Sequence, residues 1–251
     1  MIIKKTPEQI EQMATAGAIQ ARCLRMLRSK CHPGATTMEL DDAAERFIVA
    51  QGAEPSFKGY RGFPGSICAS PNSMVVHGIP GSYELKRGDV ISLDVGVTKD
   101  GWVADAAITV PVDPVDPEAR KLLDATQRAL FAGASEAKAD NHLGDISAAI
   151  QSEVESNGFS IVRSLVGHGI GRDMHEDPQI PNFGEPGRGP TLEPGMVLAI
   201  EPMVTAGDPE VRVGEDNWAV YSADGTQAAH FEFTVAVTDD DPRILTPWHE
   251  E

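Results

Sequence analysis

The stretch Val90-Ile-Ser-Leu-Asp-Val-Gly-Val-Thr-Lys-Asp-Gly-Trp-Val-Ala-Asp105 decides how this chain is read. Its side chains alternate in character up to Asp100-Gly101, a dipeptide that favours a two-residue turn with both central φ angles positive. Such a turn fixes the register, so that Lys99 faces Trp102 and Gly96 faces Asp105. Asp105 then shares a face with Asp94. The two acids become diagonal neighbours with Cα atoms roughly 7–8 Å apart, close enough for their carboxylates to grip a cation between them. Ile91, Leu93, Val95 and Val97 fall on the opposite face as a core-facing set.

The same pattern recurs further along. Leu85-Lys-Arg-Gly-Asp-Val-Ile-Ser-Leu-Asp94 and Leu192-Glu-Pro-Gly-Met-Val-Leu-Ala-Ile-Glu201 each run from a leucine through a turn glycine and an apolar strand to a carboxylate. Helix signals precede each copy. Thr6-Pro-Glu-Gln9 and Thr36 to Glu39 are capping boxes, predicting helices to about Arg28 and to a stop at Gly52. Asp116 caps a helix over about Pro117 to Ala139, and Gly144-Asp145 opens another that ends near Gly158. Strand-like runs follow at Met196 to Val204 and Phe231 to Thr238. The expected fold class is α+β: two pseudo-symmetric helix-helix-hairpin halves, about 6–112 and 113–240, in one catalytic domain spanning 1–251. Between the second helix and the first strand, Glu54 to Gly81 is rich in Gly, Pro, Ser and aromatics without periodicity, as a functional loop would be.

The second copy carries its own acids. Glu201 interrupts Val-Leu-Ala-Ile-Glu-Pro-Met-Val, and Glu232 interrupts His-Phe-Glu-Phe-Thr-Val-Ala-Val. A carboxylate inside so apolar a strand must be paired or bind a metal. His168 lies in Val-Gly-His-Gly-Ile-Gly, where flanking glycines give close access to the imidazole. His77, in Val-Val-His-Gly-Ile-Pro, and His175, in Met-His-Glu-Asp-Pro, are weaker candidates that gain weight from this company. Four carboxylates and one imidazole are too rich in hard oxygen for a structural zinc site and too anionic for one divalent ion. Two metals fit better, a pair able to activate a water, polarise a carbonyl and anchor an amine.

Composition narrows the class from outside. The 251 residues carry 38 acidic against 21 basic groups, a net charge of −17, which argues against nucleic-acid or anionic-membrane partners. No run of about 18 apolar residues and no signal-peptide pattern is present, so a cytoplasmic location is expected. Cys23, Cys31 and Cys68 are an odd number at no zinc-ribbon spacing and are expected as reduced thiols.

From about Thr6 to Thr238 the chain resembles the type I methionine aminopeptidases of the pita-bread fold. The likeness rests on Gly59-Tyr-Arg-Gly-Phe-Pro, Val76-His-Gly-Ile-Pro, Leu93-Asp-Val-Gly, Gly167-His-Gly-Ile-Gly, Met174-His-Glu-Asp-Pro, Ile200-Glu-Pro-Met and Phe231-Glu-Phe-Thr. The resemblance implies a curved antiparallel sheet and removal of the initiator methionine when the second residue is small. It implies that Asp94, Asp105, His168, Glu201 and Glu232 ligate two divalent ions (Co, Mn, Fe or Zn), with Asp105 and Glu232 bridging. It further implies that Glu201 moves protons and that His77 and His175 contact the scissile amide. A methionine pocket is implied at Phe57, Tyr60, Phe63, Cys68, Met174 and Trp218. The implied partners are peptides with an N-terminal methionine, including nascent chains at the ribosome, and the chain is expected as a monomer.

Three departures from the commonest family pattern stand out: Val103-Ala104 before the second aspartate, Phe233 after the last glutamate, and Met174 in place of an aromatic residue. None removes a ligand. The short spacing between Glu201 and Glu232 matches type I, because type II relatives carry an insertion there. The nearest alternative is a prolidase or X-Pro aminopeptidase of the same fold, which usually has an added N-terminal domain, whereas this chain's first helix begins at about Pro7. A catalytically inactive binding protein on the fold is the other alternative; such proteins lose ligands that this chain retains.

Overall fold

The computed structural model describes residues 1–250. Its first two helices are α1 (Pro7–Lys30) and α2 (Thr37–Ala50), both opened by the expected capping boxes. In each, the threonine hydroxyl accepts the backbone N–H of the residue at N3, whose side chain accepts the threonine N–H in return. Two orphan donors are satisfied at each start, where a helix otherwise leaves four. The second pair is α3 (Pro117–Ser135) and α4 (Leu143–Ser156). Helix α3 stops before the predicted Ala139 because the Asn141 side-chain amide donates to the Glu136 carbonyl at 3.0 Å and turns the chain away.

The hairpin forms as its sequence dictates. Strands Val90–Lys99 and Trp102–Pro111 pair with Lys99 opposite Trp102 and Gly96 opposite Asp105. Asp100 and Gly101 both take positive φ, 51° and 75°, as the tight turn requires. Ile91, Leu93, Val95 and Val97 are fully buried in the main core, beneath α1. Helix α1 lies so close to the C-terminal segment that a Cβ on Gly17 would stand 2.0 Å from the Leu245 carbonyl oxygen, so only glycine fits there.

The repeated pattern yields the same turn twice. Asp89 N–H donates to the Lys86 carbonyl at 3.1 Å, and Met196 N–H to the Glu193 carbonyl at 3.1 Å. The glycines inside these turns, Gly88 and Gly195, have φ of 96° and 93°. Leu85 and Leu192 are buried beside them.

The second strand pair departs from expectation. The first predicted run divides into Val197–Ile200 and Met203–Thr205; the second holds one shorter strand, Phe233–Ala236, set off by a break from a strand not foreseen before it, Ala228–His230. Each break sits where the chain passes from one ladder to another. Val197–Ile200 and Phe233–Ala236 pair within a five-stranded antiparallel sheet that includes Gly167–Gly169, whereas Met203–Thr205 and Ala228–His230 pair within a three-stranded one. Pro202 lies in the first break and has no N–H to give to either ladder. The strands therefore form four antiparallel sheets, and the hairpin is the only ladder among the described residues that runs ten pairs without interruption.

Candidate metal centre

The strand breaks and the hairpin face meet at one place. Asp94 stands mid-strand and Asp105 opposite Gly96 on the same face of the hairpin. Glu201 is the first residue after Val197–Ile200, and Glu232 the last before Phe233–Ala236, so the two glutamates leave their ladder side by side. The Glu232 N–H reaches across to the Ala107 carbonyl at 2.9 Å, which seats this break directly on the hairpin. Asp105 is tied to the same strand pair, its N–H donating to the Thr234 hydroxyl and its carbonyl accepting from it, at 3.0 and 2.7 Å.

The site's charge is unbalanced. Asp105 and Glu232 are 4% and 2% exposed, whereas Asp94 and Glu201 are partly buried, the Glu201 side chain 13% exposed. Asp94 Oδ1, Asp105 Oδ1 and Glu232 Oε1 have no hydrogen-bond partner. No lysine joins them in the cavity wall, and Arg61 is the one arginine there. Burial, compounded by mutual repulsion, holds Asp94, Glu201 and Glu232 well above the usual carboxylate range, and burial lifts Asp105 to about 7. Buried acids without a partner are costly unless protonated or neutralised by a cation. Oxygen-rich donors left unpaired in this way fit hard divalent ions.

His168, on the strand Gly167–Gly169, is 6% exposed and joins the acids. Its Nδ1 lies 2.9 Å from the Gly169 carbonyl, which can only accept, so Nδ1 carries the proton and Nε2 offers a bare lone pair. Burial lowers its pKa and keeps the ring neutral, the form a metal requires. Donor atoms of Asp105, His168 and Glu232 lie within 4.8 Å of one another, and His168 Nε2 stands 3.5 Å from Glu201 Oε1. The flanking glycines matter: a Cβ on Gly169 would meet the Asp177 carbonyl oxygen at 2.0 Å and one on Gly167 the Ala199 carbonyl oxygen at 2.4 Å.

These groups form the floor of a cavity of about 170 Å³. That is small beside the roughly 300–1,000 Å³ of sites for cofactors and drug-sized ligands. The irregular segment after α2 supplies most of its wall: Phe57, Tyr60, Arg61, Phe63, Cys68 and His77, with Trp218 and His175 from elsewhere. Trp218 packs edge-on against Phe63 with centroids 5.1 Å apart. Met174, expected on this wall, is not among the lining residues but packs in the same apolar cluster as Phe57, Phe63 and Cys68, where a Cβ on Gly96 would touch its methyl group at 2.9 Å. Burial and the neighbouring carboxylates push the Cys68 thiol far up, so it stays a neutral, apolar wall element. Cys23 and Cys31 are free as well.

His175 stands over the floor with its ring 4.3 Å from that of His168. Its outer edge is open to solvent, yet partial burial, with His168, Arg61 and His77 adding to it, pushes its pKa down to about 4. Its Nδ1 lies 2.8 Å from the Tyr60 hydroxyl. With Tyr60 donating there, the neutral ring keeps its proton on Nε2. The loop behind His175 is pinned by a buried ion pair, Lys5 Nζ to Glu176 Oε2 at 2.6 Å, while Glu176 Oε1 accepts the Arg172 N–H at 3.0 Å. His77 sits exposed at the rim with φ of 60°. Val103 and Ala104 are buried beside Asp105, and Phe233 points away from the floor to stack on Trp248 at 4.9 Å.

Two residues here were not singled out in the sequence. Arg61 is exposed at the mouth, and nothing in its motif marked it as more than a loop cation. His230 is 1% exposed, with Nε2 3.6 Å from Glu201 Oε2 and 3.9 Å from Glu232 Oε2. Its spacing two residues before Glu232 was the available signal, since strand alternation puts both on one face.

A floor of buried acids and one bare imidazole beneath a small apolar cavity defines a metal-dependent hydrolase site, and the sequence pattern of metallopeptidase family M24 matches residues 11–239. The chain belongs to that family. It is 54% identical to a methionine aminopeptidase of Clostridium perfringens over 246 residues, covering 98% of this chain and 99% of the relative. The crystal structure of a methionine aminopeptidase from Thermotoga maritima superposes with a TM-score of 0.97 at 43% identity, covering 98% of this chain and 99% of that one. The prolidase from Pyrococcus furiosus shares the fold, with a TM-score of 0.77 at 21% identity over 97% of this chain and 65% of its own. The architecture is the pita-bread fold.

Proposed function

We propose that the chain is a type I methionine aminopeptidase whose single domain, in two halves, removes an N-terminal methionine when the second residue is small. The observation that carries this reading is the set of buried, unpartnered carboxylate oxygens converging with the bare His168 Nε2 under a cavity of aromatic and sulfur groups. Asp94, Asp105, His168, Glu201 and Glu232 would hold two divalent ions, of which Mn, Fe, Co and Zn all suit such donors. Ions held there supply an activated water and a polarised carbonyl. No other single role accounts for so many acids in one enclosure.

The remaining steps fall to the chain's own groups. Phe57, Tyr60, Phe63, Cys68 and Trp218 enclose the methionine side chain, whose polarisable sulfur suits aromatic edges. The acidic floor attracts the substrate's α-ammonium group. Glu201, with Oε1 beside His168 and Oε2 beside His230, takes a proton from the attacking water and passes it to the leaving nitrogen. His175, neutral and protonated on Nε2, donates to the carbonyl oxygen as charge develops. His77 at the rim holds the peptide near the leaving amine. Substrates include nascent chains in the cytoplasm, met by a monomer.

Purified protein supplied with Mn(II), Co(II) or Fe(II) is expected to release methionine from Met-Ala and Met-Gly peptides and to leave Met-Leu peptides intact. Cleavage of X-Pro peptides in their place would overturn the reading in favour of a prolidase-type enzyme.

A further inference from the structure

His230 is the imidazole beside the acids that the five-residue ligand set leaves out. It closes the strand Ala228–His230, and its main chain is clamped to the hairpin, with the N–H donating to Thr109 Oγ1 at 2.8 Å and the carbonyl accepting from it at 2.8 Å. The ring is buried, yet neither Nδ1 nor Nε2 has a hydrogen-bond partner. A buried imidazole with both nitrogens idle is uncommon and calls for an explanation.

The geometry around Glu201 supplies one. An imidazole stands at each oxygen of this carboxylate: His168 Nε2 is 3.5 Å from Oε1 and His230 Nε2 is 3.6 Å from Oε2. The rings differ at their far ends. His168 gives its Nδ1 proton to the Gly169 carbonyl and so presents a lone pair inward, whereas His230 has no acceptor at Nδ1 that would draw its proton away. An N–H on His230 Nε2 has the nearest carboxylate oxygens as its acceptors, Glu201 first and Glu232 Oε2 at 3.9 Å second. The separation from Glu201 is about half an ångström beyond a normal N–H···O contact. A small rotation of the Glu201 side chain closes it.

We propose that His230 is a positioning residue of the metal centre: its Nε2–H donates to Glu201 Oε2, which turns Oε1 toward the cation shared with His168. This inference rests on the ligand reading above. His230 itself would bind no metal.

The test compares His230→Leu with His230→Gln, since a glutamine amide can still donate to Glu201 and a leucine cannot. Metal-stripped protein is titrated with Mn(II) by calorimetry, and the visible spectrum of the Co(II)-loaded protein is recorded. His230→Leu is expected to weaken Mn(II) binding by roughly 10- to 100-fold, the range for partners that orient a ligand, and to alter the Co(II) bands. His230→Gln is expected to restore both to near the unaltered chain. An unchanged Kd and spectrum in His230→Leu overturns the proposal, as does a His230→Gln variant as weak as His230→Leu, which would make the imidazole itself a ligand. If His230→Leu fails to fold, His230→Asn replaces it, polar but too short to reach. Asp105→Ala is titrated in parallel: Mn(II) binding as tight as in the unaltered chain there would remove the ligand reading, whereas its loss beside an unchanged His230→Leu removes only the role of His230.

Discussion

The hairpin Val90–Pro111 and the broken strand pair around Glu201 and Glu232 each bring two carboxylates to the same floor, but they hold them differently. Asp94 and Asp105 sit inside an unbroken ten-pair ladder whose pairs continue on either side of each along the chain, and the Thr234 hydroxyl adds one distant tie, to the Asp105 main chain. Glu201 and Glu232 lie outside their strands, and their main chain is held by distant groups. Asn182 Nδ2 donates to the Glu201 carbonyl at 3.0 Å, Trp248 Nε1 donates to the Glu232 carbonyl at 2.9 Å, and the Glu232 N–H reaches Ala107. A continuous ladder makes a rigid support from local sequence alone. A break lets one chain serve two sheets, and the position of its carboxylate then depends on tertiary contacts.

The largest expected effect tests whether both kinds of support lead to one centre. Asp105→Ala and Glu232→Ala are each expected to reduce bound metal and turnover together, by more than the 10- to 100-fold typical of a merely supporting residue. Metal analysis and peptide assays on the same preparations check this. Near-normal turnover in either variant would show that the two regions do not share a centre.

Next comes the response of the metal-free protein to pH. The carboxyls of Asp94, Asp105, Glu201 and Glu232 are raised in the fold, so above their unfolded value near 4 the folded chain holds more protons and loses stability as pH rises. His77, His168, His175, His230 and His249 are lowered and act in the opposite sense, an effect that fades above about 6.5, the unfolded imidazole value. From about pH 6.5 to 8 the carboxyl effect increasingly dominates, at up to about 1.4 kcal/mol per pH unit for each acid still protonated. Scanning calorimetry should show a falling Tm through about pH 7, the Asp105 value, and its recovery on adding Mn(II). A flat metal-free Tm over that window would mean that the acids are solvated in the fold.

A smaller effect distinguishes the two supports. Trp248→Phe keeps the ring stacked on Phe233 but deletes the N–H that holds Glu232, and is expected to weaken Mn(II) binding by roughly tenfold. Unaltered affinity would mean the Glu232 carbonyl needs no lock. The smallest effect concerns the hairpin turn. Gly101→Ala forces an L residue to φ near 75°, at a cost of about 1 kcal/mol, which lowers Tm by a few degrees. Metal affinity should not change, because the ladder beyond Lys99 and Trp102 holds both aspartates; a matching loss of affinity would show that their placement depends on the turn itself.

The same contrast explains what the sequence disclosed. Asp-Gly, strand alternation and the capping boxes are short-range signals, and from them the hairpin register, the facing of Asp94 and Asp105 and the starts of α1 and α2 were legible. The breaks at Glu201-Pro202 and Phe231-Glu232 were not, because an apolar run looks continuous whether it stays in one ladder or passes between two. The places of Met174 off the cavity lining and of the Trp248 indole against the Glu232 carbonyl depend on packing between residues far apart in the chain, which periodicity does not encode. His230 is legible by alternation from Glu232, although its apolar strand neighbours mask it.

The lock on Glu232 also has a meaning in time. A chain is made from its N-terminus and begins to fold in that order, so the aspartate hairpin emerges first, then His168, Glu201 and Glu232, and the indole of Trp248 only after all of them. A partly made copy can shape the hairpin while the last acid still lacks its anchor. Completion of the centre is thereby coupled to completion of the polypeptide, and a chain cut short before Trp248 would carry every proposed ligand without the contact that settles the last one.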